Sequence, residues 1–310
     1  MAKICIYCQA IPYFGEYLCE YLRGRYWDDD GESPDGRRRR FPSELSDGVV
    51  VGCYCNNDFR MQRIIDFAGK TQRCVVMFTG SDLLIMKRLS PDVRRRFMVG
   101  TGKAVFCVDG GESNRLEAEG IIGKKVYTIN LPPKMVFQPR PLYAHGFEVG
   151  CYVNPNRPDF YGLPKMMQIA GKTLEAIPNS VFRVYHSIGY PRCCNAPSNV
   201  VFHTVAIPDM DAFLSRLSCS LRFTRHDTYS MTAIEAMMAG RYVISNNGDM
   251  PKVTYLLDAD AVVRELVRIN SIRLADRAWY YKDGSEYYHI NHSPAQFVKR
   301  IYELLDLSNG

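Results

Sequence analysis

Residues 220–250 constrain the fold of this chain more than any other stretch. The stretch contains, in order, a short apolar strand, a polar turn, a helix rich in Ala and Met, and a second buried strand: 221–224, 225–230, 232–239 and 242–245. Gly240 follows the predicted helix, where a left-handed residue commonly ends one. Strand, loop, helix and strand in this order form the repeating unit of a parallel sheet. The stretch therefore predicts an α/β fold.

The same stretch predicts a place for a ligand. Parallel sheets bind ligands beyond the carboxyl ends of their strands, which is where the loop from Arg225 to Ser230 lies. The helix that follows has N–H groups without partners at its start and the positive end of its dipole. These groups favour an anion such as a diphosphate, so we expect the backbone of Ser230, Met231 and Thr232 to contact one.

Two acids in this stretch carry a resemblance to a known family. Asp227-x(7)-Glu235, followed by Ala-Met-x-Ala-Gly-x-x-Val-Ile, resembles the E-x(7)-E segment of retaining, family-four-like GT-B glycosyltransferases. The resemblance implies two Rossmann-like domains with parallel sheets facing an interdomain cleft. It also implies a nucleotide-diphosphate sugar as donor, with no obligatory cofactor or metal. In such enzymes the second acid binds the ribose hydroxyls and the first lies beside the sugar. Asp227, however, is one methylene shorter than the family's usual Glu.

Glu235 also fits a purely structural role. Thr232-x-x-Glu235 matches a capping box, in which both side chains satisfy backbone groups at a helix start. Such a cap stabilises a helix by about 1 kcal/mol and needs no ligand. The motif leaves both interpretations open.

A second segment of the same half resembles the family's donor site. Arg157 lies in a Pro- and Asn-rich loop after a predicted strand, and Lys165 lies on the Gly162–Ala170 helix. The segment is similar to the family's Gly-Arg and Lys-Gly residues, which hold the diphosphate, although here the loop is longer and Gly precedes Lys. Both cations could instead be ordinary solvated residues. The full set of predicted donor-binding residues is Gly15, Arg157, Lys165, Arg225, Tyr229, Ser230, Met231, Thr232 and Glu235.

The first half predicts a second Rossmann-like domain. A turn over 11–15 follows its first strand, and Gly15 there allows a backbone to approach the donor closely. The stretch after the strand at 74–79 resembles a cleft-facing loop of the family's acceptor domain. Ser81 is therefore a candidate acceptor contact and Asp82, with Asp227, a candidate catalytic residue. Capping of the following helix by Ser81 or Asp82 is the alternative role, and the local sequence favours it.

Charge suggests the acceptor. The chain has a formal net charge of +6, and residues 1–146 contain 22 Lys and Arg against 17 Asp and Glu. Arg37, Arg38, Arg39 and Arg40 form one run, and Arg94–Arg96 another. A basic half suits a polyanion, so we predict duplex DNA with a hydroxymethylated base, as in phage enzymes that reach or flip a base. A lipid-linked or cell-surface glycan is the alternative acceptor, and a non-catalytic nucleotide-sugar-binding subunit the alternative function.

Length and hydropathy set the remaining expectations. The 310 residues suffice for two domains, predicted at 1–145 and 146–292, with a helix over 293–310 packing back toward the first. No apolar run long enough to span a membrane occurs. The start is typical of a strand rather than a signal peptide. We therefore expect a cytoplasmic protein, in the host cytoplasm if a phage encodes it, for which a membrane surface is a less favoured partner. Its oligomeric state is not predicted.

The 11 cysteines do not predict disulfides. Most lie in apolar, strand-like runs, where a free thiol behaves as a small hydrophobe. Cys5 and Cys8 together with Cys53 and Cys55 could form a zinc site. The twofold period of a strand places Cys5 and Cys8 on opposite faces, however, and argues against it. His186 and His203 are predicted at strand ends without a catalytic role.

Overall fold

The computed structural model describes residues 4–8, 12–23, 25–27, 45–53, 55, 57–142, 146–185, 195–203 and 205–308. The chain divides into two compact units. The first comprises Met1–Lys134 and His292–Gly310, and the second Met135–Asn291. The division falls between Lys134 and Met135, earlier than the predicted limit at 145.

The first unit alternates strands and helices. Its elements are β1 (Ile4–Cys8), α1 (Pro12–Leu22), β2 (Arg25–Trp27), β3 (Leu45–Val51), α2 (Asp58–Lys70), β4 (Thr71–Phe78), α3 (Ser81–Arg88), α4 (Pro91–Gly100), β5 (Val105–Asp109), α5 (Glu112–Ile122) and β6 (Val126–Ile129). Within the described residues the strands form one parallel sheet in the order β2-β1-β3-β4-β5-β6. Runs of Val, Ile and Cys make these strands apolar on both faces, as burial between two helix layers requires.

The second unit repeats this plan. Its elements are β7 (Phe147–Tyr152), α6 (Leu163–Ala176), β8 (Ser180–Tyr185), β9 (Val200–Phe202), α7 (Met210–Arg216), β10 (Cys219–Arg222), α8 (Met231–Met238), β11 (Tyr242–Ser245), β12 (Thr254–Tyr255), α9 (Ala259–Ala275) and α10 (Lys282–Asn291). The described strands are parallel in the order β12-β11-β10-β7-β8-β9. Read from β9, this is the 3-2-1-4-5-6 order of dinucleotide-binding Rossmann sheets.

The last helix, α11 (Pro294–Leu307), belongs to the first unit. Ser293 caps its start by accepting a hydrogen bond from the Gln296 N–H, and Pro294 takes the first helical position. Its buried face contains Phe297, Ile301, Leu304 and Leu305. Arg73 of β4 bridges Asp47 of β3 and Asp306 of this helix, each at 2.6 Å. The helix therefore forms part of the first unit's outer layer.

Gly15 differs from its predicted setting. It is buried within α1, which begins at Pro12, rather than lying in a turn that precedes the helix. Pro is favoured in the first turn of a helix because its missing N–H has no partner there in any case. The helix therefore starts earlier than the glycine suggested.

Candidate functional site

The strand order of the second unit marks one place for a ligand. β7 and β10 are neighbours in the sheet, and the chain moves outward from them in opposite directions. In open α/β sheets, ligands bind in the crevice beyond the carboxyl ends of the two strands at such a switch point. The loop after β7, residues 153–162, and the loop after β10, residues 223–230, both leave from this edge. These loops contain four of the nine predicted donor-binding residues: Arg157, Arg225, Tyr229 and Ser230.

The two loops are in direct contact. The Arg225 N–H donates to the Phe160 carbonyl at 2.9 Å. Gly162, the residue before α6, has a φ of +69°, and a Cβ there would lie 2.7 Å from both Cβ and the carbonyl oxygen of Phe223. Only glycine tolerates this close approach and this dihedral together. The start of α6 is thereby fixed against the loop that follows β10.

The start of α8 has unused N–H groups. Ser230 is the N-cap residue, but its side chain makes no cap hydrogen bond; its hydroxyl lies 3.0 Å from that of Thr232. The Ser230 carbonyl accepts from the N–H groups of Ala233 and Ile234, each at 3.0 Å. Within the described part of the chain, the N–H groups of Met231 and Thr232 donate to no acceptor. Two free amides at the positive end of a helix dipole suit a phosphate oxygen.

Glu235 lies in the second turn of α8, so the predicted capping box does not form. The helix begins at Met231 rather than after Thr232, which places Glu235 beyond the reach that a capping box requires. Among the described residues its carboxylate has no hydrogen-bond or ion-pair partner. The surrounding protein raises the pKa of Glu235 to about 7, because burial disfavours its charged form. A partly buried acid without a partner is suited to accept hydrogen bonds from a ligand.

Asp227 is held by a residue that the sequence did not suggest. Arg222, the last residue of β10, donates from Nε to Asp227 Oδ2 at 2.8 Å, and its Nη2 forms an ion-pair contact with the same oxygen at 2.7 Å. In the sequence, Leu221–Thr224 has the pattern of a buried strand. The arginine within it is the one signal that could have indicated this ion pair, because a buried arginine needs a partner. The first acid of the E-x(7)-E segment is thus one half of an ion pair.

Three further cations surround this edge of the sheet. Arg157 and Arg225 are exposed, and within the described residues their guanidinium groups form no ion pair. Lys165 donates from Nζ to the Leu257 carbonyl, and its ammonium lies 4.7 Å from the ring centroid of Phe223. Desolvation lowers the pKa of Lys165. The arginines therefore have charge available for an anion, whereas part of the Lys165 ammonium is already engaged.

A layer behind the site fixes the loop that contains Asp227. Tyr229 donates from its hydroxyl to the Asp249 carbonyl at 3.2 Å, and Asn247 Nδ2 donates to the Thr228 carbonyl at 3.0 Å. Tyr229 thus uses its hydroxyl to join two loops. Asn247 was not among the predicted residues. Its position in Asn-Asn-Gly after a strand is the signal that could have identified it, because Asn side chains often bond backbone groups in turns.

The first unit places Asp82 in a setting that differs from the predicted one. Asp82 is fully buried and accepts hydrogen bonds from the N–H groups of Thr79, Leu83 and Cys53, at 2.7–3.0 Å. Burial raises its pKa to about 7 despite these bonds. Gly80, rather than Ser81 or Asp82, is the N-cap residue of α3. An acid with no exposed surface is poorly placed for catalysis, and here it joins the loops after β3 and β4.

The remaining predicted residues either fall outside the described residues or have ordinary structural surroundings. The acceptor candidates Arg37–Arg40 and the strand-end His186 fall outside the described residues, as does the side chain of Ser81. His203 packs edge-on against Phe213 with ring centroids 5.3 Å apart, and burial lowers its pKa. Arg95 and Arg96, two of the three arginines on α4, pair with Asp92 and Asp58.

Two kinds of feature are absent from the described residues. No group of three or more His, Cys, Asp or Glu side chains in the described ranges is arranged to hold a metal ion. Over the same ranges, no helix is both long enough and apolar enough to cross a membrane.

No protein-family model and no curated protein matches this chain by sequence. Solved structures resemble it in three dimensions. TarM is 13% identical over 84% of this chain, with a TM-score of 0.61. The pneumococcal O-GlcNAc transferase GtfA, in complex with UDP and GlcNAc, is 10% identical over 84%, with a TM-score of 0.56. The α,α-trehalose-6-phosphate synthase of Burkholderia multivorans is 10% identical over 100%, with a TM-score of 0.64.

The fraction of each solved chain that this chain covers differs among the three structures. The chain spans only 54% of TarM and 57% of GtfA, but 99% of the trehalose-6-phosphate synthase. Together with the two parallel sheets, these similarities confirm the predicted fold class. The fold is GT-B, with two Rossmann-like domains.

Proposed function

We propose that this protein is a glycosyltransferase that moves a sugar from a nucleotide-diphosphate sugar to an acceptor hydroxyl. The observation that supports this most strongly is the environment of Glu235. Among the described residues its carboxylate is unpartnered, and it lies one turn beyond the two free amides that begin α8. A hydrogen-bond acceptor for ribose hydroxyls and a binding position for a phosphate then lie on the same short helix, α8. A nucleoside diphosphate presents both groups to be bound.

The proposed chemistry rests on stabilisation of the leaving group. When the bond between the anomeric carbon and the diphosphate breaks, negative charge develops on the departing oxygen. The amides of Met231 and Thr232, with the guanidinium groups of Arg157 and Arg225, would neutralise that charge. Fixed donors of this kind need no reorganisation during the reaction. Retention of the anomeric configuration is part of the proposal through the E-x(7)-E resemblance.

The nucleotide and the acceptor are narrower proposals. GtfA was solved with UDP and GlcNAc, so UDP-sugars are the first donors to test. A DNA acceptor rests on the basic first half of the sequence. On α4 two of three arginines pair with neighbouring acids, but such surface pairs are weak and do not prevent binding to a phosphate backbone.

Hydrolysis of a panel of nucleotide sugars, with and without duplex DNA containing hydroxymethylcytosine, tests the proposal. We expect slow release of the nucleoside diphosphate from one donor. Stimulation by the modified DNA alone would identify the acceptor class, whereas indifference to DNA would favour a glycan acceptor. Release from no donor, with the protein folded, would contradict the enzyme proposal and favour a non-catalytic subunit.

A further inference from the structure

Arg222 is a buried arginine at the end of a strand, next to the loop that contains Asp227. It ends β10, and only 8% of its surface is exposed. Its guanidinium lies 5.3 Å from the ring centroid of Tyr152 and 5.0 Å from that of Tyr161. Tyr152 ends β7 and Tyr161 lies in the loop that follows, so this cluster occupies the switch point of the sheet.

The hydrogen bonds of Arg222 are incomplete. Nε donates to Asp227 Oδ2, and Nη2 forms an ion-pair contact with the same oxygen. Nη1 is buried and has no acceptor within the described part of the chain. Buried arginine N–H groups are nearly always satisfied, because loss of hydration without a replacement bond is costly. A donor left in this state at a ligand-binding edge indicates an acceptor that arrives with the ligand.

The cluster is also connected to Glu235. The rings of Tyr161, Tyr152 and Tyr185 contact one another edge-to-face, with centroids 5.7 and 5.8 Å apart. Tyr185 is buried, and the charge of Glu235 acts on its hydroxyl. A row of three aromatic side chains therefore extends from the ion pair to a tyrosine on which the charge of Glu235 acts.

The charge balance indicates which part of a donor the cluster contacts. Arg222 and Asp227 neutralise each other, so the pair attracts a diphosphate dianion only weakly, whereas Arg157 and Arg225 have unpaired charge. The pair does present a hydrogen-bond acceptor beside an unused donor. Sugar hydroxyls are both donors and acceptors, and they match this combination.

We propose that Arg222 is a positioning residue that holds Asp227 against the sugar of the bound donor, with the Nη1 N–H reserved for an oxygen of that sugar. This inference rests on the proposed function. It assigns Arg222 to recognition of the sugar and leaves recognition of the diphosphate to the α8 amides and the exposed arginines. It also accounts for Asp in place of Glu at the first acid, because the arginine fixes the shorter side chain.

The test compares R222K with a matched control, R183K. Arg183 forms an ion pair with Glu148 in the same sheet, with Nε 2.5 Å from Oε2, away from the two loops. Lysine keeps the charge but cannot supply the fork of N–H groups. Calorimetric titration with UDP, UDP-glucose and UDP-N-acetylglucosamine, together with kcat and KM for donor hydrolysis, separates nucleotide from sugar recognition.

We expect R222K to bind UDP within about twofold of the wild type while kcat for hydrolysis falls at least tenfold, a loss of about 1.4 kcal/mol of transition-state stabilisation. R183K should change neither property. Wild-type hydrolysis by R222K, or equal losses of UDP binding and hydrolysis, would overturn the inference. If R222K does not fold, D227N replaces it, and the same separation is expected. Failure of the wild type to bind any of the three probes would instead remove the proposed uridine nucleotide. Release from no donor of the wider panel would remove the proposed function, and this inference with it.

Discussion

Asn246 forms two hydrogen bonds to the backbone of Thr224. Its Oδ1 accepts from the Thr224 N–H at 3.1 Å, and its Nδ2 donates to the Thr224 carbonyl at 2.7 Å. Asn246 follows β11, and Thr224 begins the loop that leads to Asp227. The side chain thus makes the two hydrogen bonds to Thr224 that the backbone of a continued β11 would otherwise make, at the point where β10 and β11 separate. It thereby joins the loop after β10 to the residue that follows β11.

The first prediction is that N246A destabilises the second unit. Thr224 is buried, so both of its backbone groups would lose their partners, at a cost of about 1–3 kcal/mol. Chemical denaturation should show a lower unfolding midpoint. N270A is the control, because the Asn270 side chain accepts from Arg273 on its own helix. Equal effects of the two substitutions would contradict this role for Asn246.

The second prediction concerns the pH dependence of stability at Glu235. Its pKa is about 7 in the folded protein against an ordinary value of 4.5. Between these values the folded state retains a proton that the unfolded state has released, so stability falls as pH rises from about 4.5 to about 7. The E235Q variant has no carboxyl group at this position, so its stability should not fall with pH in this way. It should be more stable than the wild type at pH 8, by on the order of 1 kcal/mol because the group is partly solvated.

The stability difference should shrink toward zero near pH 4.5, and thermal unfolding across this pH range measures it. Tyr185 stays neutral throughout this range because burial, and to a lesser extent the charge of Glu235, raise its pKa. A less stable E235Q at pH 8 would mean that the carboxylate stabilises the fold.

The third prediction separates the α8 amides from the rest of the site. Proline is tolerated at the first helical position, where its missing N–H breaks no helix bond. M231P should therefore keep its melting temperature yet bind UDP several-fold more weakly. M210P is the control, since Met210 is also the first residue of a helix in the same unit and Asp209 caps that helix. Unchanged UDP affinity in M231P would argue against a phosphate at this position.

The fourth prediction addresses the exposed arginines. R157A and R225A should each reduce UDP affinity by about tenfold, because each removes a charge-assisted contact worth about 1.5–3 kcal/mol at most. The wild-type affinity should also weaken with added salt. Neither substitution should alter stability, since neither arginine has an ion-pair partner among the described residues. R277A is the matched control; an equal loss of affinity in R277A would indicate a general charge effect.

The fifth prediction is that D82N lowers stability without removing chemistry. Its amide nitrogen would face a backbone N–H donor in place of an acceptor, which leaves a buried donor unsatisfied and costs about 1–3 kcal/mol. Denaturation and donor hydrolysis below the unfolding transition measure the two effects. Loss of kcat at full folding would restore the catalytic role predicted for Asp82 from the sequence.

Local patterns predicted the fold well and long-range partners poorly. β10, α8 and β11 lie within about two residues of their predicted limits, an ordinary boundary error, because turn chemistry and apolar runs specify them locally. Helix α10 was not predicted, since its polar, Gly-containing sequence has a weak pattern. Contacts distant in sequence hold it: Ser285 donates to the Met238 carbonyl, and Tyr288 donates to that of Pro251.

The same distinction applies to the site. Glu235 was predicted from the spacing of two acids and the helix that follows them. The Arg222–Asp227 ion pair could not be predicted from the sequence. The two residues are five positions apart across a turn, and that spacing does not determine whether their side chains meet. The exclusion of the capping box likewise required the observed N-cap of α8, Ser230, which lies two residues before the cap that the box requires, Thr232.

The most direct test of the account is calorimetric titration of UDP-glucose and UDP-N-acetylglucosamine into the wild type and E235Q at pH 8. At this pH the Glu235 carboxyl is largely ionised and able to accept hydrogen bonds from ribose hydroxyls. The account predicts one binding site in the wild type and an affinity at least tenfold lower in E235Q, with both proteins folded. Equal affinity in the two proteins, or no binding by the wild type, would contradict it.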